Sequence, residues 1–356
     1  MTHPERLLIV RTSAMGDIIH SLPAAAALRK FFPEALTMIG WVVERRWVEL
    51  LCSPSCSLTG PRSLGRPLVD TIHMVNTKGW RRSLTSFDTW RQIAGSVRDL
   101  RSSHYQVAVD FQGAVRSGLI ARLSGAKEIY GFANPREVPA KMFYTQRVSA
   151  RGAHVIEQNR SLAEDLAAEH LEIPKAELPR DEAADRECER YLNEHKISRF
   201  ALLNPGAGWR AKEWPAERYG EVARHLSEDG VHCLINYGPS EDALAKTIET
   251  SSAGCANAVN LTLTQLIAFT RRAALFIGGD TGPMHLAAAL SVPVVAIFGP
   301  TDPARNGPFG TASIVLRNPA SLTSHKRRTQ PDEGLLAISV DEVVAAARQL
   351  MREMRA

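Results

Sequence analysis

The stretch LFIGGDTGPMHLAAALSVPVVAIFGPTDP, residues 275–303, decides the fold. A buried-type apolar run over 274–278 ends in two glycines, a helical stretch follows near 282–290, and a second apolar run, Val294–Phe298, closes the unit. Strand, helix and strand in that order, with no polar alternation in either strand, make a parallel α/β unit. The same alternation extends outward on both sides. In the second half, strands are expected at Phe200–Asn204 and Val231–Tyr237, with helices near 215–228, 240–250 and 264–271. Ser240, Thr262 with Gln265 three residues on, and Ser339 with Glu342 have the spacing of helix caps. In the first half, strands are expected at Leu7–Arg11, Thr37–Val43, Thr71–Val75, Gln106–Asp110 and Lys127–Gly131, with helices around 18–31, 87–101 and 113–123.

A chain of 356 residues is about twice a typical domain. The run LEIPKAELPRDEAADR, 171–186, has two prolines, many charges and no strand pattern, and reads as a linker. The organisation expected is a Rossmann-like domain over 1–172, a linker over 173–186, a second Rossmann-like domain over 187–338, and a last helix over 339–356 that packs on either domain. Two doubly wound domains facing a central cleft is the architecture this implies. Segment 317–335, polar, basic and proline-containing, reads as a loop.

Composition removes several classes. Hydrophobic residues at 44% and charged residues at 23% are those of a globular protein, not a disordered one. The longest apolar stretch, His285–Phe298, is broken by Ser291 and Pro293 and is too short to span a bilayer. Leu7–Val10 is four apolar residues between Arg6 and Arg11, which is no secretory signal, so a cytoplasmic protein is expected. Five cysteines, at 52, 56, 188, 233 and 255, contain no CxxC pair and read as reduced thiols. There is no HExxH, Asp-x-Asp, GxSxG or Walker lysine pattern. The basic segment 62–101 carries Trp80 and Trp90, but aromatics are only 6% of the chain and no nucleic-acid module fits.

Charge is unevenly distributed. Residues 1–160 hold 22 Lys+Arg against 12 Asp+Glu, and residues 161–356 hold 21 against 26. A first half at +10 and a second at −5 suggest that the first half meets something anionic, the alternative being a solvated basic face.

Ligands of open α/β sheets bind outside the carboxyl ends of strands, and three such junctions stand out. In LLIVRTSAMGDIIHSLP, 7–23, Asp17 lies at the start of a helix. It reads either as a helix cap or as a general base on an incoming hydroxyl. In FALLNPGAGWRAKEWPAERYGEVARHL, 200–226, Gly206 and Gly208 follow a strand, with Arg210 and Lys212 ahead of a helix. The loop resembles a dinucleotide fingerprint, but the next strand ends Asn236-Tyr237, without the acid that holds ribose. A phosphate cradle and a tight turn with solvated bases remain as readings. In 275–303, Thr281 and His285 share a helix face near the positive end of its dipole, beside Asp280 and Gly282. Exposed N–H groups, a hydroxyl and an imidazole suit a diphosphate leaving group; a capped core helix with a satisfied His285 is the alternative.

These junctions, with DFQGAVRSGLIARL at 110–123, NPREVPAKMFYTQRV at 134–148 and KEWP at 212–215, resemble glycosyltransferase family 9, the ADP-heptose:lipopolysaccharide heptosyltransferases. The resemblance covers nearly the whole chain. It implies a GT-B fold with the acceptor on the first domain, the nucleotide-sugar on the second and a C-terminal helix crossing back to the first, and inverting chemistry; no cofactor is expected to be required, and no motif indicates a divalent cation. Asp17 would be the base. Gly206, Ala207, Gly208, Lys212, Glu241, Leu261, Asp280, Thr281, Gly282 and His285 would hold the donor, and Thr12, Ser13, Arg81, Arg82 and Arg136 the acceptor.

The middle motifs look most like the type I branch, which adds the first heptose to Kdo of Kdo-bearing lipid A. That anionic acceptor matches the basic first half, and as a lipid it implies peripheral contact with the inner face of the inner membrane, although no amphipathic anchor is evident. The sequence departs from type I at Ala207 and Gly208, where hydroxyl side chains are common, and Gly-Ala-Gly-Trp is more usual in other branches, including type II. Transfer of the second heptose or another sugar therefore stays open. A non-catalytic binder of lipopolysaccharide precursor is the rival from another class, and a carboxylate at 17 gives such a binder no advantage. An NAD-dependent oxidoreductase is weakened by the missing ribose acid.

Overall fold

Two parallel six-stranded sheets form the frame, in a computed structural model that describes residues 4–354 apart from 84, 176 and 325–329. The chain divides between Asp181 and Glu182 into two units. The first unit contains β1 (Arg6–Val10), α1 (Met15–Phe31), β2 (Met38–Glu44), β3 (Thr71–Val75), α2 (Thr77–Arg82), α3 (Phe87–Ser102), β4 (Val107–Asp110), α4 (Val115–Leu123), β5 (Glu128–Phe132), β6 (Gln146–Val148) and α5 (Val155–Ala167). The second contains α6 (Glu182–Glu194), β7 (Phe200–Asn204), α7 (Ala216–Glu228), β8 (His232–Asn236), α8 (Asp242–Ser251), β9 (Ala256–Val259), α9 (Leu263–Arg272), β10 (Leu275–Gly279), α10 (Gly282–Ala289), β11 (Val294–Phe298), α11 (Pro303–Asn306), β12 (Ser313–Arg317), α12 (Glu333–Ala337) and α13 (Val340–Glu353).

Strand order is β3-β2-β1-β4-β5-β6 in one sheet and β12-β11-β10-β7-β8-β9 in the other. Each is the doubly wound order, with the unit's first strand central and a switch point beside it, between β1 and β4 or between β7 and β10. The central strands are buried along nearly their whole length, which is why they read as unbroken apolar runs. In the second unit, Leu203, Ile235, Ile277 and Ile297 from the sheet pack with Val222 and Leu226 of α7 and with Val343, Ala347 and Leu350 of α13. The last helix thus packs on the second unit. Trp214 Nε1 donates to Ile338 O at 3.0 Å just before that helix starts.

The differences from the sequence reading lie at edges and boundaries. Strands β6, β9 and β12, all three short and at sheet edges, carry no distinctive apolar run. Residues 182–186 are the first turns of α6, whose charges mask Ala184, Cys188 and Leu192, the buried residues of one face. Ser240 does not cap α8; it takes φ +72° and Glu241 precedes the helix. The caps at Thr262 and Ser339 form with Gln265 and Glu342. The end of the 317–335 segment is helical, as the start of α12 (Glu333–Ala337), and 325–329 lie outside the described residues. Placing the boundary at Asp181 also changes the charge contrast: the first unit has 24 Lys+Arg against 18 Asp+Glu and the second 19 against 20, a difference of +6 to −1. The five cysteines are free thiols, and burial raises Cys52 and Cys188 to about 11 and Cys233 to about 12, which keeps them protonated and unreactive.

Candidate active site

The carboxyl ends of β1 and β4 place Arg11–Asp17 beside Asp110–Gly113, with Val10 in register with Asp110. Asp17 sits in the first turn of α1 and does two things at once. One oxygen accepts from the Ala14 N–H at 3.0 Å, and the other pairs with Arg11 at 2.8 Å. The Arg11 guanidinium is almost fully buried, while the Asp17 side chain is 39% exposed. The cap and the base are therefore compatible readings of one residue: the contacts fix the carboxylate's direction and its remaining lone pairs face solvent.

Behind it lies a buried network. Asp110, with no exposed surface, accepts from the hydroxyls of Ser117 (2.8 Å) and Tyr144 (2.7 Å) and from the N–H groups of Gln112 (2.8 Å) and Gly113 (3.3 Å). Burial raises its pKa, and those four donors act against that rise. Gln112 Oε1 in turn accepts from Thr12 N (2.8 Å) and Thr12 Oγ1 (2.7 Å). The network locks the loop that presents Asp17. Arg116 reaches Ser13 Oγ at 2.9 Å and adds an exposed guanidinium to this rim. The Arg136 backbone packs on Gly113, where a Cβ would lie 3.1 Å from Arg136 N.

Thr12, Ser13, Asp17 and Arg136 are thus gathered at one switch point. Arg81 and Arg82 stand apart, exposed at the end of α2 beyond β3, two strands or about 10 Å from β1. Asp110, Gln112 and Arg116 lie in the 110–123 motif, whose sequence assigns them no role. Their part depends on sheet register, which a single chain segment does not reveal.

The second switch point is built around a different carboxylate. Asp280, after β10, is 7% exposed and uses both oxygens. Lys212 Nζ lies 2.6 Å from one and His285 Nε2 3.2 Å from the other. Burial opposes ionisation, but the hydrogen bond and charge of His285 and the ammonium of Lys212 outweigh it and hold Asp280 well below the usual carboxylate range. Lys212 also lies 4.8 Å from the centre of the Trp209 ring. Gly278 and Gly279 make this packing possible: a Cβ on the first would be 2.8 Å from Asn204 O, and on the second 3.2 Å from Lys212 O.

Thr281 precedes α10 in an extended conformation, and its hydroxyl is buried without a partner. The Thr301 hydroxyl, in the loop after β11, is likewise buried and unsatisfied, and the sequence reading did not single it out. Two such hydroxyls, a lysine and a helix N-terminus are what a diphosphate can bond.

Around the glycine loop, Glu241 accepts from Gly238 N at 2.7 Å and fills the space above Gly206, where a Cβ would lie 2.3 Å from Glu241 Oε1. Ala207 is half-buried, and Gly208 is exposed with open space on its Cβ side. Asn236 occupies the position at which a dinucleotide enzyme has its ribose acid, and it donates to Asn204 Oδ1 at 2.7 Å. Leu261, half-buried after β9, is the outlier of the donor set, two strands from β7. Among the described residues, no group of three or more His, Cys, Asp or Glu side chains is placed to hold a metal ion.

Two doubly wound sheets, one presenting a half-open carboxylate and the other a lysine and unsatisfied hydroxyls at a helix start, have the architecture of a GT-B glycosyltransferase. The chain belongs to glycosyltransferase family 9, the heptosyltransferases, whose family model matches residues 94–336. It is 28% identical to lipopolysaccharide heptosyltransferase 1 of Pseudomonas aeruginosa over 320 residues, covering 87% of this chain and 83% of that one. It is also 28% identical to lipopolysaccharide heptosyltransferase 1 of Escherichia coli K12, covering 88% and 94%. The fold is similar to that of the E. coli heptosyltransferase WaaC solved with ADP, with a TM-score of 0.75 and 24% identity over 98% of this chain and 99% of that one.

Proposed function

We propose that the protein transfers L-glycero-D-manno-heptose from ADP-heptose to the Kdo of Kdo-bearing lipid A, with inversion, in the lipopolysaccharide inner core. The observation that carries this reading is the contrast between the two switch points within a chain similar to heptosyltransferases 1 over most of its length. Asp17, oriented by Arg11 and Ala14 N–H, takes the proton from the acceptor hydroxyl. A carboxylate is a weak base, which suffices when the proton leaves late, as the new C–O bond forms at the anomeric carbon. The bond from that carbon to the diphosphate breaks in the same displacement, and ADP departs. A single displacement needs one base and one assisted leaving group, and no carboxylate nucleophile.

Lys212, the Thr281 and Thr301 hydroxyls and the start of α10 meet the charge that develops on the diphosphate. Asp280 orients Lys212 and His285 and does not itself face an anionic donor comfortably, so its part is positioning. Ala207 and Gly208 contribute backbone N–H groups only. Glu241, already held by Gly238 N–H, accepts from a ribose hydroxyl in this reading. Among the described residues, no helix is long and apolar enough to cross a membrane; the lipid acceptor implies contact at the cytoplasmic face of the inner membrane without a span.

The test is turnover of purified protein with ADP-heptose and two acceptors, Kdo-bearing lipid A and its mono-heptosylated product. Transfer to the first alone is the expected result. Transfer to the second alone would make this the enzyme of the second heptose, the branch that the Gly206-Ala207-Gly208-Trp209 loop resembles in wording.

A further inference from the structure

The helix α3 spans Phe87–Ser102 and turns an unusual face outward. Phe87 is 80% and Trp90 56% exposed, and Ala94 is exposed with them. At helical spacing, Arg91, Arg98 and Arg101 fall on the same side, because 87, 90, 91, 94, 98 and 101 are linked by steps of three, four and seven. All three arginines are exposed. The helix's two carboxylates lie outside this stripe, and Asp99 bonds His73 Nδ1. The buried side of the helix is carried by Thr89 and Leu100, so the aromatic residues are not the ones that hold it to the sheet.

At its far end the stripe continues into a cavity of about 590 Å³ whose lining includes Arg101, His104, Arg122 and Lys127. Arg101 belongs to both features and is tied to the neighbouring helix end by a hydrogen bond from Nε to Leu123 O at 3.2 Å. Large exposed aromatics, an arginine row alongside and a basic pocket at one end match a single kind of partner. Apolar rings enter the acyl boundary while guanidinium groups meet anionic headgroups. A sequence reading finds no anchor here, since the same periodicity would equally serve a core-facing helix and only the fold shows which side is outside.

We infer that α3 is a membrane-docking helix, lying along the surface of a bilayer that carries anionic headgroups, with Phe87 and Trp90 inserted and Arg91, Arg98 and Arg101 at headgroup level. This deepens the proposed function, whose acceptor is a lipid. The experiment is flotation of the full-length protein with vesicles of phosphatidylcholine, with and without phosphatidylglycerol, and with no acceptor present. The wild type should float with the anionic vesicles and not with phosphatidylcholine alone. The Phe87→Ser/Trp90→Ser and Arg91→Gln/Arg98→Gln pairs should each reduce binding about tenfold or more.

Turnover on a deacylated, water-soluble acceptor should be unchanged in both pairs, which shows that the variants are folded and separates this inference from the transfer reading. Failure of transfer on every acceptor with vesicle binding intact would defeat the proposed function alone. Absence of anionic-vesicle binding by the wild type, equal binding to neutral vesicles, or wild-type binding by both variants would overturn the docking assignment.

Discussion

The two switch points share a scaffold and hold their carboxylates in opposite surroundings. Each lies beside the first strand of a doubly wound sheet, with a helix starting a few residues on. In the first unit the carboxylate of Asp17 is 39% exposed and faces one buried cation. In the second, Asp280 is 7% exposed and lies between Lys212 and His285. A carboxylate with open lone pairs can accept a proton from a substrate. One that is buried with a basic side chain on each oxygen cannot, and is suited instead to aiming those two groups. The fold supplies two equivalent positions, and exposure and pairing decide which chemistry each can do.

That comparison can be attacked at each carboxylate and its partners. The largest effect is expected at Asp17: Asp17→Ala should lower turnover by about 10²–10⁴-fold, the range of general-base catalysis, with ADP-heptose affinity within a few-fold in calorimetry. Collapse of donor binding would make Asp17 structural.

Removing Asp280 should be a stability effect first. Asp280→Asn leaves Lys212 and His285 buried beside a neutral group, and chemical denaturation should show a loss of about 3–5 kcal/mol. The sign with pH follows from its depressed folded pKa. The stabilisation is fully present above the unfolded value of about 4 and is lost as pH falls through the folded value. The gap between wild type and variant should therefore narrow below about pH 4, and a gap independent of acid would contradict the pairing.

Lys212→Ala should weaken ADP-heptose binding by roughly 1.5–3 kcal/mol through lost charge-assisted contacts, and unchanged affinity would remove Lys212 from the donor site. The smallest effect is expected at Gly113, which has φ +66° and a Cβ direction blocked by Arg136 N. Gly113→Ala should cost about 1–2 kcal/mol in thermal or chemical unfolding, and a neutral result would show that this loop relaxes freely.

Much of this was legible in the chain because its central strands are unbroken apolar runs and its site loops follow them directly. Leu7–Val10, Phe200–Asn204 and Leu275–Gly279 announce buried parallel strands, and Asp17, Lys212, Asp280, Thr281 and His285 follow their carboxyl ends, in the loop or the first helical turn beyond. What escaped depends on neighbours remote in sequence. Asp110 acquires meaning through its register with Val10 and its bonds from Ser117 and Tyr144. Thr301 matters because its hydroxyl is left unsatisfied by the folded surroundings. The charge contrast was sharper in sequence than in structure, since the acid-rich residues 161–181 belong to the first unit. Periodicity identified α3 as a helix, but only the fold shows Phe87 and Trp90 facing outward.

The division of labour between the two carboxylates is tested most directly by Asp17→Asn. Asparagine retains an oxygen for the Ala14 N–H but no longer acts as a base. Turnover on Kdo-bearing lipid A and the ADP-heptose dissociation constant should be measured on the same preparation. The account predicts turnover reduced by about 10²-fold or more with a dissociation constant within a few-fold of wild type. Wild-type turnover, or a loss of activity that follows a loss of donor binding, would contradict it.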